Sequence, residues 1–320
     1  MLSSTTYKQP FWAFNGHLET IVPALLRQSP PFNYSIEPLT LEDSDNIQLN
    51  WYSNNHRRLA VILPGLESNA ERNYVKSLVL YLSKEGFDVL VPDHRGCGTK
   101  MNKLYRSYHS GNTEDLKAVL HSTKVAAYQE KYLLGFSLGG NIVLRYLGEE
   151  GSKSVFKKAA TISAPFDLSL CSAALEKPST RLYRKRFVRN LKIRLHQKAT
   201  AFPNKLSRAT IDNCQTIKDI DDVYTAPAHG FIDADDYYTQ CSSERVLDNI
   251  TTQTLIINAA NDPIIPIKDQ SKELLHKNKA ISFIMTEKGG HVGHPTLLIR
   301  GKNWYERQVI SFFTSNESET

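Results

Sequence analysis

The sequence predicts an α/β protein with an open, mostly parallel, doubly wound sheet and one helical insertion. Three observations predict it. Short, nearly continuous apolar runs of strand length recur along the chain, segments of helical period separate most of them, and one long connection holds no convincing strand.

The apolar runs are Leu59–Pro64 (LAVILP), Asp88–Asp93 (DVLVPD), Lys131–Phe136 (KYLLGF), Ala159–Ala164 (AATISA), Thr254–Ala260 (TLIINAA) and Ile281–Met285 (ISFIM). Unbroken hydrophobicity of this kind suits strands covered on both faces. Tyr74–Glu85 places Val75, Leu78, Val79 and Leu82 on one helical face, and Thr113–Tyr128 does the same with Leu116, Val119, Leu120 and Val125. Alternating strand and helix implies right-handed crossovers in a single sheet. From Pro165 to about Asn249 the rhythm stops. That stretch is far longer than an ordinary connection, so it is expected to be a cap over the sheet's carboxyl edge, where open α/β sheets bind ligands. The expected division is a core of residues 1–164 and 250–320 with a cap at 165–249.

A chain of 320 residues with 41% hydrophobic and 22% charged residues is neither collagen-like, nor disordered, nor disulfide-dense. Lys and Arg exceed Asp and Glu by 39 to 33, a mild net charge of +6. Cys97, Cys171, Cys214 and Cys241 form no CxxC pair, so free thiols are expected and no zinc or redox motif is present. The N-terminal segment has no apolar stretch of secretion-signal type, and no run is long enough to span a bilayer. A soluble, cytoplasmic protein is the expectation.

Gly135-Phe-Ser137-Leu-Gly139 matches GxSxG. The pattern is short enough to arise by chance, so its flanks decide: KYLLGF runs into it as a strand, and Asn141–Leu147 continues as a helix. Glycines let strand and helix pass closely at such a turn, and the helix N-terminus favours developing negative charge. Ser137 is therefore the candidate nucleophile. A serine hydroxyl needs a base, and the base needs a carboxylate, in chain order Ser, Asp, His. Asp262 follows TLIINAA at the expected sheet edge, although Asn-Asp-Pro also favours a simple Asx turn. Asp233, Asp235 and Asp236 are weaker candidates, because no strand precedes them. His291 follows ISFIM and the glycines 289 and 290, with His294 as its rival. The oxyanion of an acyl-transfer intermediate needs two donors. The backbone N–H of Leu138 is one, and that of Leu66, in the Pro64-Gly-Leu-Glu loop after LAVILP, is the other.

These pieces, with Asn15-Gly-His-Leu-Glu-Thr20, Pro64-Gly-Leu-Glu-Ser68, His94-Arg-Gly-Cys97, Tyr108-His-Ser-Gly-Asn-Thr-Glu-Asp115, Thr225-Ala-Pro-Ala-His-Gly-Phe231, Tyr237-Tyr238 and Asn261-Asp-Pro263, make the chain resemble the YheT-like branch of the α/β-hydrolase fold. The resemblance runs over most of the chain. It implies a serine carboxylic-ester hydrolase of the esterase or acylglycerol-lipase kind, acting on a small-molecule or lipid ester with no metal or organic cofactor. By motif its serine, aspartate and histidine fall on Ser137, Asp262 and His291. Relatives usually carry His where this chain has Pro64, which changes the hydrogen bonding expected of the oxyanion loop. Acyl transfer, thioester or amide cleavage on the same residues, and a non-catalytic ligand- or protein-binding member, are the alternatives.

Arg181–Lys198 contains eight Lys or Arg and no acid, with Phe187, Val188, Leu191 and Leu195 on one helical face. Contact with an anionic membrane is one reading. A cap helix with a solvated basic face is preferred. No nucleic-acid-binding motif accompanies the charge, so no nucleic-acid partner is expected.

Overall fold

The computed structural model describes residues 6–298 and 301–315. Eight strands form one sheet: β1 (Ser35–Thr40), β2 (Asn46–Tyr52), β3 (Arg58–Leu63), β4 (Phe87–Pro92), β5 (Glu130–Phe136), β6 (Lys158–Ile162), β7 (Gln253–Ala259) and β8 (Ile281–Thr286). Their spatial order is β1-β2-β4-β3-β5-β6-β7-β8. From β4 to β8 every neighbour is parallel, whereas β1 and β2 pair antiparallel with each other and β2 with β4.

The six apolar runs are β3 to β8. Their side chains alternate between two cores. Leu59, Val61 and Leu63 of β3 face one, under the helices Glu114–His121 and Leu138–Glu150, while Ala60 and Ile62 face the other, under the helices Asn73–Lys84 and Trp304–Thr314. The antiparallel pair was not foreseen. In β2 only Ile47, Leu49 and Trp51 alternate inward between polar neighbours, and β1 is a largely exposed edge strand carrying Pro38. The helix expected over Thr113–Tyr128 is broken at Ser122, whose backbone is extended (ψ 138°) and whose Oγ donates to the Val119 carbonyl at 2.6 Å.

Between β6 and β7 the chain is helical, with Leu168–Glu176, Arg181–Ala201 and Ala234–Cys241 as its longest α-helices. This segment has a core of its own, including Leu175, Val188, Leu195, Ile211 and Ile220, which closes on Ile264 and Ile265 beyond β7. Among the described residues no helix is long and apolar enough to cross a membrane. All four cysteines are buried and unbridged.

Candidate active site

Each candidate residue lies just beyond the carboxyl end of a strand: Leu66 after β3, Ser137 after β5, Asp262 after β7 and His291 after β8. Ser137 is held at φ 51° and ψ −121°, a conformation rarely adopted by a residue with a side chain. Close packing imposes it. A Cβ on Gly135 would run into the Gly139 carbonyl, and one on Gly139 into the carbonyls of Leu63 and Pro64. The Ser137 N–H donates to Ile162 of β6 at 2.9 Å, which fixes the turn against the neighbouring strand.

Three side chains from these loops join in one chain of hydrogen bonds. His291 Nδ1 lies 2.8 Å from Asp262 Oδ2, and His291 Nε2 lies 3.0 Å from Ser137 Oγ. An ionised carboxylate only accepts, so a neutral imidazole carries its proton on Nδ1 and Nε2 accepts from the serine hydroxyl. The Asp262 side chain is fully buried and the His291 side chain 11% exposed. The Asx turn is also present, since Asp262 Oδ1 accepts from the N–H groups of Ile264 and Ile265 at 2.8 and 3.1 Å. One carboxylate oxygen orients its own loop and the other faces the histidine.

The rival residues stand elsewhere. His294 is buried, bonded to Thr286 Oγ1 at 2.8 Å and stacked on Trp304, and burial pushes its pKa down to about 3. Asp233 caps the helix Ala234–Cys241, Asp235 pairs with Lys218, and Asp236 accepts from the Ile232 N–H.

The oxyanion loop is held on both sides of Leu66. The Gly65 N–H donates to Tyr74 OH at 3.1 Å and the Glu67 N–H to Tyr108 OH at 2.9 Å, while no group among the described residues accepts from the Leu66 N–H between them. The Leu138 N–H opens a helix and has no intrahelical acceptor. The histidine missing at position 64 has a counterpart in space: His94 Nε2 lies 2.9 Å from the Pro64 carbonyl, its ring stacks on Tyr108, and burial lowers its pKa.

Sequence reasoning missed the supports of the histidine loop. Glu19, fully buried in the first helix (Gly16–Leu26), accepts on Oε2 from Asn261 Nδ2 at 2.6 Å and from the Gly289 N–H at 2.9 Å. Thr20 Oγ1 accepts from the His291 N–H at 2.9 Å, Asn261 Oδ1 from the Gly290 N–H at 3.0 Å, and Ser163 Oγ from the Val292 N–H at 2.9 Å. The motif Asn15–Thr20 was their visible signal, but it announced no role.

The basic helix turns part of its charge inward. Arg194 pairs with Glu67 at 3.0 Å beside the oxyanion loop, and buried Lys198 donates to Asn102 Oδ1 at 2.7 Å, with its pKa lowered to about 8 by burial. Arg181, Lys185, Arg186 and Arg189 remain exposed. His109 and His229 are neighbours, 4.6 Å between ring centroids; His109 lines the site and burial lowers its pKa to about 3.

Two cavities meet at Ser137. One, of about 980 Å³ including its mouth, runs among the helices between β6 and β7 and is lined by Leu138, Leu175, Leu191, Ile217, Ile220 and Ile265. The other, of about 1420 Å³ on the same measure, lies between the first helix and the helix Arg181–Ala201 and is lined by His291, Thr20, Arg72, Tyr183, Arg186 and Asn190. Among the described residues no group of three or more His, Cys, Asp or Glu side chains is placed to hold a metal ion.

The family description "alpha/beta hydrolase fold" matches residues 61–296. YheT of Escherichia coli, which bears the name of an esterase, is 33% identical over 313 residues, 94% of this chain and 91% of that protein. The chain belongs to the α/β-hydrolase fold family, in its YheT-like branch. This α/β-hydrolase is also similar to phospholipase ABHD3 of Mus musculus, at 29% identity over 90% of this chain and 73% of that protein. Among solved structures it resembles the Pyrococcus furiosus esterase Pf2001, with a TM-score of 0.58 at 18% identity over 91% of this chain and 97% of that one, a likeness of fold.

Proposed function

We propose that this α/β-hydrolase is a serine carboxylic-ester hydrolase working through an acyl-enzyme. The observation that carries the proposal is the continuous path Ser137–His291–Asp262, with contacts of 3.0 and 2.8 Å. The similarity to proteins named as an esterase and a phospholipase supports ester substrates.

In this reading the Ser137 Oγ forms a bond to the ester carbonyl carbon as its proton passes to His291 Nε2. Asp262 holds the imidazole in the required tautomer and stabilises the imidazolium. The negative oxygen is met by the N–H groups of Leu66 and Leu138; loss of one such donor typically costs about 3 kcal/mol of transition-state stabilisation. The carbon–oxygen bond to the alcohol then breaks, and the imidazolium gives its proton to the departing oxygen. Water, deprotonated by the same histidine, attacks the acyl carbon, and Ser137 leaves with that proton, releasing the acid. The helices of residues 165–249 act as the cap that shapes the acyl pocket, and Arg181, Lys185 and Arg189 of the helix Arg181–Ala201 form a solvated basic face.

Labelling by a fluorophosphonate probe, with p-nitrophenyl esters of increasing chain length as substrates, tests the reading. Wild type is expected to label and turn over. Ser137→Ala is expected to lose both, with turnover down by up to roughly a million-fold. An unlabelled wild type, or an active Ser137→Ala, overturns it.

A further inference from the structure

We propose that the cavity between the first helix and the helix Arg181–Ala201 receives the alcohol part of the ester and selects alcohols that bear a phosphate group, with Arg186 and Arg72 as the recognising cations. The inference rests on the roles given above to Ser137 and His291. Sidedness comes first. His291 lines this cavity and not the apolar one, Leu138 lines the apolar cavity and not this one, and Leu66, the other oxyanion donor, lies at the junction and lines both. The group that returns a proton to the leaving oxygen must face the alcohol, and the oxyanion donor must face the carbonyl on the acyl side. The acyl chain therefore enters among Leu175, Leu191, Ile217 and Ile220, and the alcohol lies toward Arg186 and Arg72.

Charge selects the alcohol. Among the described residues neither Arg186 nor Arg72 forms a salt bridge, and Arg72 only donates to the Glu67 carbonyl at 3.1 Å. The acids on the same walls are already engaged. Glu67 is paired with Arg194 at 3.0 Å, and Glu71 at the rim with Lys76 at 2.9 Å. A third guanidinium, Arg27, is neutralised by Glu306 at 2.6 Å and adds no free charge. The cavity is left with two uncompensated guanidiniums, one from the loop before the helix Asn73–Lys84 and one from the helix Arg181–Ala201. The helix Asn73–Lys84 also begins at this wall without a side-chain cap, so its positive end reinforces them. Guanidinium forks match oxyanion geometry. A phosphate carries more charge than a carboxylate and presents three oxygens, enough to meet both guanidiniums.

The test compares kcat/KM of the full chain for 1-decanoylglycerol and 1-decanoylglycerol 3-phosphate, each kept below the concentration at which it aggregates. Wild type is expected to prefer the phosphate ester about five-fold or more at low salt, as for a half-exposed ion pair, with the preference shrinking as salt rises. Arg186→Met should bring the ratio toward one. As a reading without turnover, glycerol 3-phosphate should protect Ser137 from the fluorophosphonate at lower concentration than glycerol does. A wild-type ratio of one or less, an unchanged ratio in Arg186→Met, or equal protection by the two alcohols overturns the proposal while leaving the hydrolase reading intact. A preference seen only when both esters are presented in phosphatidylglycerol vesicles also overturns it, because attraction to the surface then replaces recognition in the cavity. Failure of Ser137 to label at all removes the hydrolase reading and this one with it.

Discussion

Glu19 and Asn261, 242 residues apart in the chain, are joined by a 2.6 Å hydrogen bond between buried or half-buried groups. The bond ties the first helix to the loop that carries Asp262, and the same Glu19 oxygen holds the Gly289 N–H two residues before His291. One buried carboxylate thus sets the relative position of two loops whose side chains meet 2.8 Å apart.

Removing that carboxylate leaves two donors without partners, at a cost of about 1–3 kcal/mol each, and frees both loops to shift. Glu19→Ala is expected to lower kcat by at least about ten-fold with a smaller change in KM, and to lower Tm. Glu19→Gln keeps an oxygen that can accept both bonds and should retain most of the activity. Steady-state kinetics on a short p-nitrophenyl ester, with a thermal melt, check this; wild-type kcat in Glu19→Ala refutes the positioning role.

Gly139→Ala places a methyl group against the carbonyls of Leu63 and Pro64, both backbone and unable to give way cheaply. Overpacking of this kind costs roughly 1–3 kcal/mol and here shifts the turn at Ser137. The variant should lose probe labelling before it loses its fold, as read by circular dichroism beside the labelling gel.

Arg194→Met strands the Glu67 carboxylate, whose side chain is only 5% exposed, next to the oxyanion loop. Breaking a buried pair from one side typically costs about 3–5 kcal/mol, reduced here by the Tyr108 hydroxyl that still donates to Glu67 at 2.8 Å. Urea unfolding should show the loss. The double variant with Glu67→Gln should recover part of it, and strict additivity of the two changes would argue against the pairing.

Asp93 supplies a pH test. Burial, with a contribution from Glu71, raises its pKa from 3.8 to about 6. Between about pH 4 and 6 the native state keeps a proton that the unfolded chain has lost, so this group's contribution to stability falls as pH rises through that window. Asp93→Asn is neutral throughout and retains an acceptor for the Ala70 N–H, which donates to Asp93 Oδ1 at 2.9 Å. Its stability relative to wild type should therefore increase from pH 4 to 6, by on the order of 1–3 kcal/mol, and level off above. A difference in urea midpoint that stays flat across the window contradicts the raised pKa.

The six parallel strands were legible because each is a local apolar run, and the turn at Ser137 because its glycines answer a local steric demand. Asp262 and His291 were readable from their positions after strands and among turn residues. β1 and β2 were not, because edge strands with one polar face carry a weak and short alternation. The single helix expected over Thr113–Tyr128 failed at Ser122, since periodicity does not register a side chain that competes for its own backbone. The basic helix was legible as charge, but nothing in its spacing marked Arg194 and Lys198 as the cations that turn inward.

By itself, then, the sequence determined the fold class, the strand-to-helix turn and the candidate serine, aspartate and histidine, all of which depend on interactions within a few residues. Tertiary structure alone decided that Glu19 reaches Asn261, that the Leu66 N–H finds no acceptor among the described residues between two tyrosine-bound neighbours, and that two cavities of different polarity open on Ser137. Those outcomes depend on which distant surfaces pack together. A hydrogen bond or an ion pair across such a surface has no period and no spacing to betray it.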